Sequence, residues 1–496
     1  MASKLDLDKS DFSDISSIEK LWAKELYECN PHYRDEVNNL LHGVSAPEIT
    51  LEDHEQHYSF YLNSFQTEID TKILPKDKQT YLEGVELGSS YIMSPDFRLA
   101  FLRVDRYDIE AAAIRYCRCL DFLVEFFGKA ALFRPLLLSD LTKREMKFLR
   151  EGFVQILPSR DRLGRRIMMS LGSHGGTRYT AMEKNRVHFY LCFTVLATDV
   201  TSQRVGTVLI MSFTRGAEEF MQKEGRAASE ILIRFFDAAP VRWSAAHLCL
   251  PDDGPVHQFI KAMVVFCAGP NGRLILRTHT GTPLECDYKL RSFGIPTDDI
   301  PRTYTHTIKL KNHTRLIKAR KVIDTFMKNS MVTNEAKNVR FPLIECPEIN
   351  CVIFGKYAWD HPGNIEFRGL LREMGIAEKE QELEMHLKMR SLIEELIQAS
   401  VSRKFRFLIY DRETCFYKEV TEYVEIWDLV DQAVREHRKR CKSKRMIDET
   451  KIEIEKNIDN RMDDNVADIS AISLMGNQKM NKFMKDCNGC RCFVRD

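Results

Sequence analysis

Few residues in this chain of 496 have the types and spacing that chemistry demands. Cys487, Cys490 and Cys492 form a C-x-x-C-x-C tail. Three thiolates without a fourth ligand make a poor zinc site, and no cysteine stands fourth from the end, where prenylation needs one. Gly172-Ser173-His174-Gly175-Gly176 is glycine-rich, but no lysine follows where a phosphate-binding loop places it, so it reads as a plain loop. Gly-x-Gly-x-x-Gly, His-Glu-x-x-His and Gly-x-Ser-x-Gly are all missing. The chain therefore reads as a non-enzyme without metal or cofactor. The most patterned stretch, 101–171, also lacks a catalytic group. Its pattern points to carrying an apolar ligand rather than transforming one.

Periodicity places the elements that would position such a ligand. Residues 1–92 read as a polar, mostly helical extension broken by Pro31, Pro47 and Pro75. Ile109, Ala113, Tyr116, Leu120, Leu123 and Phe127 recur at helical spacing, with Asp108 suited to cap the start and Gly128 to end it. A second helix is expected over 138–150. Phe153–Leu157 and Arg166–Leu171 read as strands joined by a turn at Asp161-Arg162-Leu163-Gly164. Strand and helix then alternate: a helix over 179–198, strand Thr207–Phe213 of the kind buried on both faces, a helix over 217–237, strand Trp243–Leu248, helix Val256–Cys267 and strand Arg273–Thr278. Alternation of this kind predicts an α/β fold with a mostly parallel sheet, here preceded by a helical subdomain at 93–150. Residues 303–343 read as a basic linker, since 302–321 carries seven Lys and Arg and no acid. A small α+β module is expected over 344–440, where Asp360-His361-Pro362-Gly363-Asn364 sets a turn and Asn364 is suited to cap the next helix. A polar tail, 441–496, is expected to be loosely ordered.

The bulk numbers agree with these readings. With 44% apolar residues the chain can build sizeable cores, and its length suits roughly three domains. The 73 basic and 72 acidic residues leave a net charge of +1, which argues against a surface that is basic throughout. The acidic, polar start MASKLDLDKSDFSD has no signal-peptide core, and the 14 scattered cysteines read as reduced thiols. Both fit a cytoplasmic protein.

Read together, Phe101-Leu102-Arg103-Val104-Asp105-Arg106-Tyr107-Asp108-Ile109-Glu110-Ala111-Ala112, the strand turn Asp161-Arg162-Leu163-Gly164-Arg165-Arg166-Ile167, and the finish Gly294-Ile295-Pro296-Thr297-Asp298-Asp299-Ile300-Pro301 resemble the CRAL-TRIO lipid-binding family over roughly 95–302. That resemblance implies an apolar pocket closed by a mobile gate helix at Val256–Cys267, with the lipid bound and transferred without chemistry. Phe259, Ile260, Met263, Val264 and Phe266 then face pocket or bilayer, although the same residues also read as ordinary core. His247 and Arg242 can meet a polar headgroup or be satisfied within the core, and Ser212 can bond a ligand hydroxyl or bond locally. Burying an acyl chain of ~10 carbons gains about 8 kcal/mol before ordering costs. Phosphoinositide-handling members carry a Lys/Arg-rich end to the gate helix; here only Lys261 and Arg273 are basic.

Membrane contact is expected at Lys261, Arg273, Lys309, Lys311 and Arg315, transient rather than spanning; the bland alternative is a solvated charge run. Arg165 and Arg166 read as solvated residues after a turn. His361-Pro362-Gly363-Asn364-Ile365-Glu366-Phe367-Arg368 and Lys404-Phe405-Arg406-Phe407-Leu408 resemble a domain of unassigned role that recurs in predicted diatom proteins. A second basic run, Arg435 to Arg445, leaves nuclear import open. The competing reading is thus a regulatory or scaffold protein whose segment 344–445 binds protein or nucleic acid.

Overall fold

The structure, a computed structural model, describes residues 15–45, 57–172, 178–213, 225–252, 254–332, 343–355, 360–374 and 385–462. Residues 173–177 of the glycine-rich loop, the start of the helix expected from 217, and the cysteines of the tail lie outside the described residues. The chain divides into two compact units, residues 1–351 with 408–419, and residues 352–407 with 420–496.

The first unit opens with helices α1 (Ile15–Glu28), α2 (Pro31–Leu41), α3 (Tyr58–Thr71) and α4 (Gln79–Glu86). The Phe-Leu-Arg element belongs to its own helix, α5 (Pro95–Val104), and is buried there; Arg103 donates to Gln203 Oε1 at 3.0 Å. Helix α6 (Ile109–Phe127) follows the spacing read from the sequence. Asp108 Oδ1 accepts from Ala111 N at 3.0 Å, and Gly128, at φ +79°, ends it. Helix α7 (Lys143–Glu151) is shorter than expected, because Thr142 and Glu145 form a reciprocal cap that starts it after a separate 3-10 turn at Leu138–Asp140.

Strands β1 (Val154–Ile156) and β2 (Arg166–Leu171) pair antiparallel around the turn at Gly164, whose φ of +82° suits glycine. Helix α8 (Ala181–Leu191), continued by a π turn at Cys192–Leu196, and helix α9 (Val200–Val205) lead to β3 (Thr207–Ser212). Next come α10 (Gly225–Ala238), β4 (Trp243–Leu250), α11 (Pro255–Cys267), α12 (Gly269–Ile275), β5 (Leu276–Thr280) and α13 (Pro283–Ser292). The strand expected from Arg273 thus starts three residues later, because Gly269–Ile275 is helical. The sheet order is β1-β2-β3-β4-β5, parallel from β2 onward. The first unit is a mixed α/β fold with a mostly parallel sheet.

The expected linker is not one. Lys311–Val332 forms helix α14, and its Leu316 and Ile317 belong to the main apolar core. His313 Nε2 meets Leu149 O at 2.5 Å, and Asp324 accepts from Leu138 N at 2.7 Å. The start of the expected C-terminal module is also held in the first unit. Glu345 pairs with Arg166 at 3.1 Å and with Arg320, while Arg160 donates to the Cys346 and Pro347 carbonyls. Burial pushes the Glu345 carboxyl up, but the Arg320 and Arg166 guanidiniums outweigh it and hold it below the usual carboxylate range. Arg165 and Arg166, expected in solvent, are buried. Arg165 meets Asp161 Oδ2 at 2.6 Å and donates to Ser244 Oγ at 3.0 Å.

In the second unit β6 (Cys351–Phe354) precedes α15 (Pro362–Glu373). Asn364 does not cap that helix. Its Oδ1 accepts from Ile353 N at 2.8 Å and its Nδ2 donates to Ile353 O at 2.7 Å, which ties the helix to the strand. Helix α16 (Met385–Ser402) comes next. The expected hairpin forms as β7 (Arg406–Asp411) and β8 (Phe416–Glu419), paired antiparallel; its residues 408–419 belong to the first unit, within which Tyr417 bridges to Ile344. Helix α17 (Tyr423–Met462) buries Val430 and Val434 as its spacing predicts. It runs through 441–462, where a loose tail was expected.

Candidate functional site

The two faces of the five-stranded sheet are covered very differently. On one face Ile167, Met169 and Leu171 of β2, Val208 and Ile210 of β3, and Ala245 and Cys249 of β4 form a single cluster with Val37 and Leu41 of α2 and Cys286 and Leu290 of α13. Every one of these side chains is buried. The opposite face carries two separate clusters. Met168 joins the large core built on α6, α8 and α10, where Phe189 stacks on Phe235 and meets Phe122 edge-on. Leu248, Leu250 and Leu276 join Ile260 and Val265 of α11. At the seam where the two meet, Leu209 packs against the first cluster and Met211 and Ala246 against the second; these and Ser170 are only half-buried although they sit in the middle strands. The register lines them up: Leu209 is beside Ala246, and Met211 is beside Ser170 and Leu248. Half-buried Phe193, Ile231, Leu232, Phe236 and Trp243 also pack against the first cluster, and Val256 and Val264 against the second. Strand β3 is therefore fully buried on one face and only partly on the other, in contrast to the expectation of a strand buried on both.

Helix α11 closes one border of that seam. Pro255 starts it, and Asp252 accepts from Gly254 N at 2.9 Å and lies 2.6 Å from His257 Nδ1. The structure divides the residues expected to handle a lipid. Ile260 is core beneath the helix, Val264 borders the seam, Met263 is half-buried, and Phe259 and Phe266 point outward at 46% and 37% exposure. Phe259, Met263 and Phe266 share one face by their spacing.

The polar residues expected at the pocket lie elsewhere. Ser212 and His247 belong to the closed face, because their positions alternate with those of Met211 and Leu248. His247 Nδ1 lies 3.0 Å from His279 Nε2, with Phe293 edge-on to both rings. Burial pushes His247 well below the ordinary imidazole value, and pushes His279 down to about 4. Arg242 precedes β4, at the strand end opposite the start of α11, and donates to Arg204 O at 3.1 Å. Burial pushes its guanidinium down to about 10. Arg273, expected at a membrane, is buried. It holds Glu25 of α1 through two contacts of 2.5 Å and accepts from Trp22 Nε1 at 2.9 Å through its carbonyl. Lys261 is half-buried, whereas Lys309, Lys311 and Arg315 are exposed.

Leu209, Met211 and Ala246 were not singled out by sequence reasoning. Alternation alone puts Leu209 and Met211 on one face of β3, but gives no sign that they stay half-buried there. Among the described residues no group of three metal-ligating side chains occurs, and no helix is long and apolar enough to cross a membrane. Comparison with protein-family models and with curated proteins finds no match.

Proposed function

We propose that the first unit binds a lipid or similar apolar molecule in the seam between the two clusters, with α11 as its movable border. The observation that carries this reading is the half-burial of Leu209, Met211 and Ala246 in the centre of a sheet whose other face is sealed. An apolar floor that cohesive packing leaves partly open gains by being covered, at about 25 cal/mol per Å². The resemblance to CRAL-TRIO proteins supports the same reading, since it assigns α11 the place of a gate helix. Transfer rather than turnover is the proposed activity, with the outward Phe259 and Phe266 meeting the membrane when α11 moves. Native mass spectrometry of the purified chain is expected to show a co-purified lipid, and the chain to take up a labelled lipid from cyclodextrin. Met211→Trp fills the seam and is expected to abolish uptake while leaving the unfolding midpoint near that of the parent. Uptake unchanged by this variant, or absent across a broad lipid panel, sinks the proposal.

A second reading assigns the second unit a protein-binding role. It is favoured by the outward Val424 and Tyr423 at the start of α17, exposed by 73% and 51%, and by Ile365 on α15 at 48%. Deleting 352–407 and 420–496 is not a clean test, because hairpin 408–419 belongs to the first unit. Val424→Asp is: loss of a partner with lipid uptake intact supports the second role.

A further inference from the structure

The row of cations along α14 is the strongest feature that the pocket does not use. One side of the helix is locked into the first unit by His313, Leu316, Ile317, Ala319 and Asp324, all buried. The other side presents Lys311, Arg315, Lys318, Lys321 and Lys328, all exposed, with exposed Lys309 just before the first turn. At 100° per residue these five fall within one side of the helix, and from 311 to 328 they span about 25 Å. None of the six is in an ion pair among the described residues, although basic side chains elsewhere, such as Arg106, Lys129 and Arg144, do find carboxylates. The acid within Lys311–Val332, Asp324, is buried, with Lys328 one turn on acting on its carboxyl, and Lys318 acts in the same way on Asp411. A net charge of +1 for the whole chain makes this concentration local. A shallow groove of about 430 Å³ interrupts the row, lined by Lys318, Lys321, Val322, Thr325, Phe326 and Asn329.

We infer that this face of α14 docks on the anionic surface of a phospholipid bilayer. The charges are spread along the length of one side of a single helix, a shape that can rest on a plane. Five of the six are lysines, compact point charges that suit a diffuse layer of headgroups; a nucleic-acid reader favours the planar fork of arginine. Val322 and Phe326, which line the groove together with Lys318 and Lys321, give it an apolar part for the carbons below a headgroup. The surface lies on the side of α7 and the 3-10 turn at Leu138–Asp140, whereas α11 covers β4 and β5. It therefore goes beyond the pocket reading and stands without it.

Co-sedimentation of the full chain with vesicles tests this directly. Binding to phosphatidylcholine vesicles containing phosphatidylserine is expected to exceed binding to phosphatidylcholine alone and to fall with added salt. Lys318→Gln with Lys321→Gln is expected to weaken it roughly 30-fold, the fold-change for two cations at an anionic leaflet. Lys72→Gln with Lys76→Gln removes the same charge from another exposed segment and is expected to leave binding unchanged. Equal binding to neutral vesicles, or undiminished binding by the α14 variant, overturns the proposal. So does a nucleic-acid duplex or an acidic peptide that binds more tightly than the vesicles and is lost in the same variant. Lipid uptake from cyclodextrin needs no docking, so its outcome separates failure of the pocket from failure of this surface.

Discussion

One sheet with two unlike faces organises the first unit. On the α2–α13 side a single cluster seals β2, β3 and β4, and the polar groups there are paired inward: Arg165 with Asp161, and His247 with His279. On the α10–α11 side the same strands carry side chains of similar hydrophobicity, yet the helices gather into two clusters and leave Leu209, Met211 and Ala246 half-covered. The difference is one of coverage rather than composition. It teaches that strand residues one position apart can belong to a structural core and to a candidate site.

Substitutions placed on either side of that divide break or sharpen it. The largest effect is expected from Asp161→Ala, which leaves the Arg165 guanidinium buried and unpaired. Chemical denaturation should show a loss of about 3–5 kcal/mol, and a loss below about 1 kcal/mol would refute the sealed face. Next comes an adjacent pair on β3. Ile210→Ala should cost about 2–5 kcal/mol, as for a fully packed core residue, and Met211→Ala under about 1.5 kcal/mol. Equal costs would erase the distinction between the faces.

Acid should act selectively on the sealed face. His247 and His279 have folded-state values below the ordinary 6.5, so the unfolded chain binds more protons there. Their contribution is complete above about pH 6.5 and is lost as pH falls toward about 4, by up to about 3 kcal/mol for His279. Denaturation across that range should show the loss, and a neutral His247→Leu variant should lessen it by the share of His247, leaving that of His279. The smallest expected effect is on the outer side of α11: Phe259→Ser should change stability by under about 0.5 kcal/mol, since its ring is not part of either cluster.

Much of this was legible in the residues. Helix α6, with its Asp108 cap and Gly128 stop, follows directly from local hydrogen bonding and periodicity, and so do the hairpin β7–β8 and the order of alternating strands and helices. Local chemistry was less reliable where a side chain had a distant partner. Arg165, Arg166 and Arg273 look like surface cations in the sequence, but Asp161, Glu345 and Glu25 meet them in the interior. Seven basic residues in 302–321 suggested a linker, yet apolar positions at helical spacing bury one side of α14 against α7. Asn364 looked like a cap because its neighbours form a turn, and instead it hydrogen-bonds both backbone groups of Ile353.

The candidate site was legible only by element. Helix α11 could be singled out, because its apolar content and its place after a strand are linear properties. Which of its residues face inward depends on what packs beneath it, and so Ile260 is core while Phe259 is exposed. By itself the sequence determined the α/β alternation, the helix stops and the near-neutral charge, all of which rest on interactions within a few residues. Only the tertiary structure decided that His247 and Ser212 lie on the sealed face, that Leu209, Met211 and Ala246 are only half-buried on the other, and that Lys311, Arg315, Lys318, Lys321 and Lys328 are outside any ion pair among the described residues. Those outcomes depend on which helices cover which face of the sheet, a choice made by contacts between residues far apart in the chain.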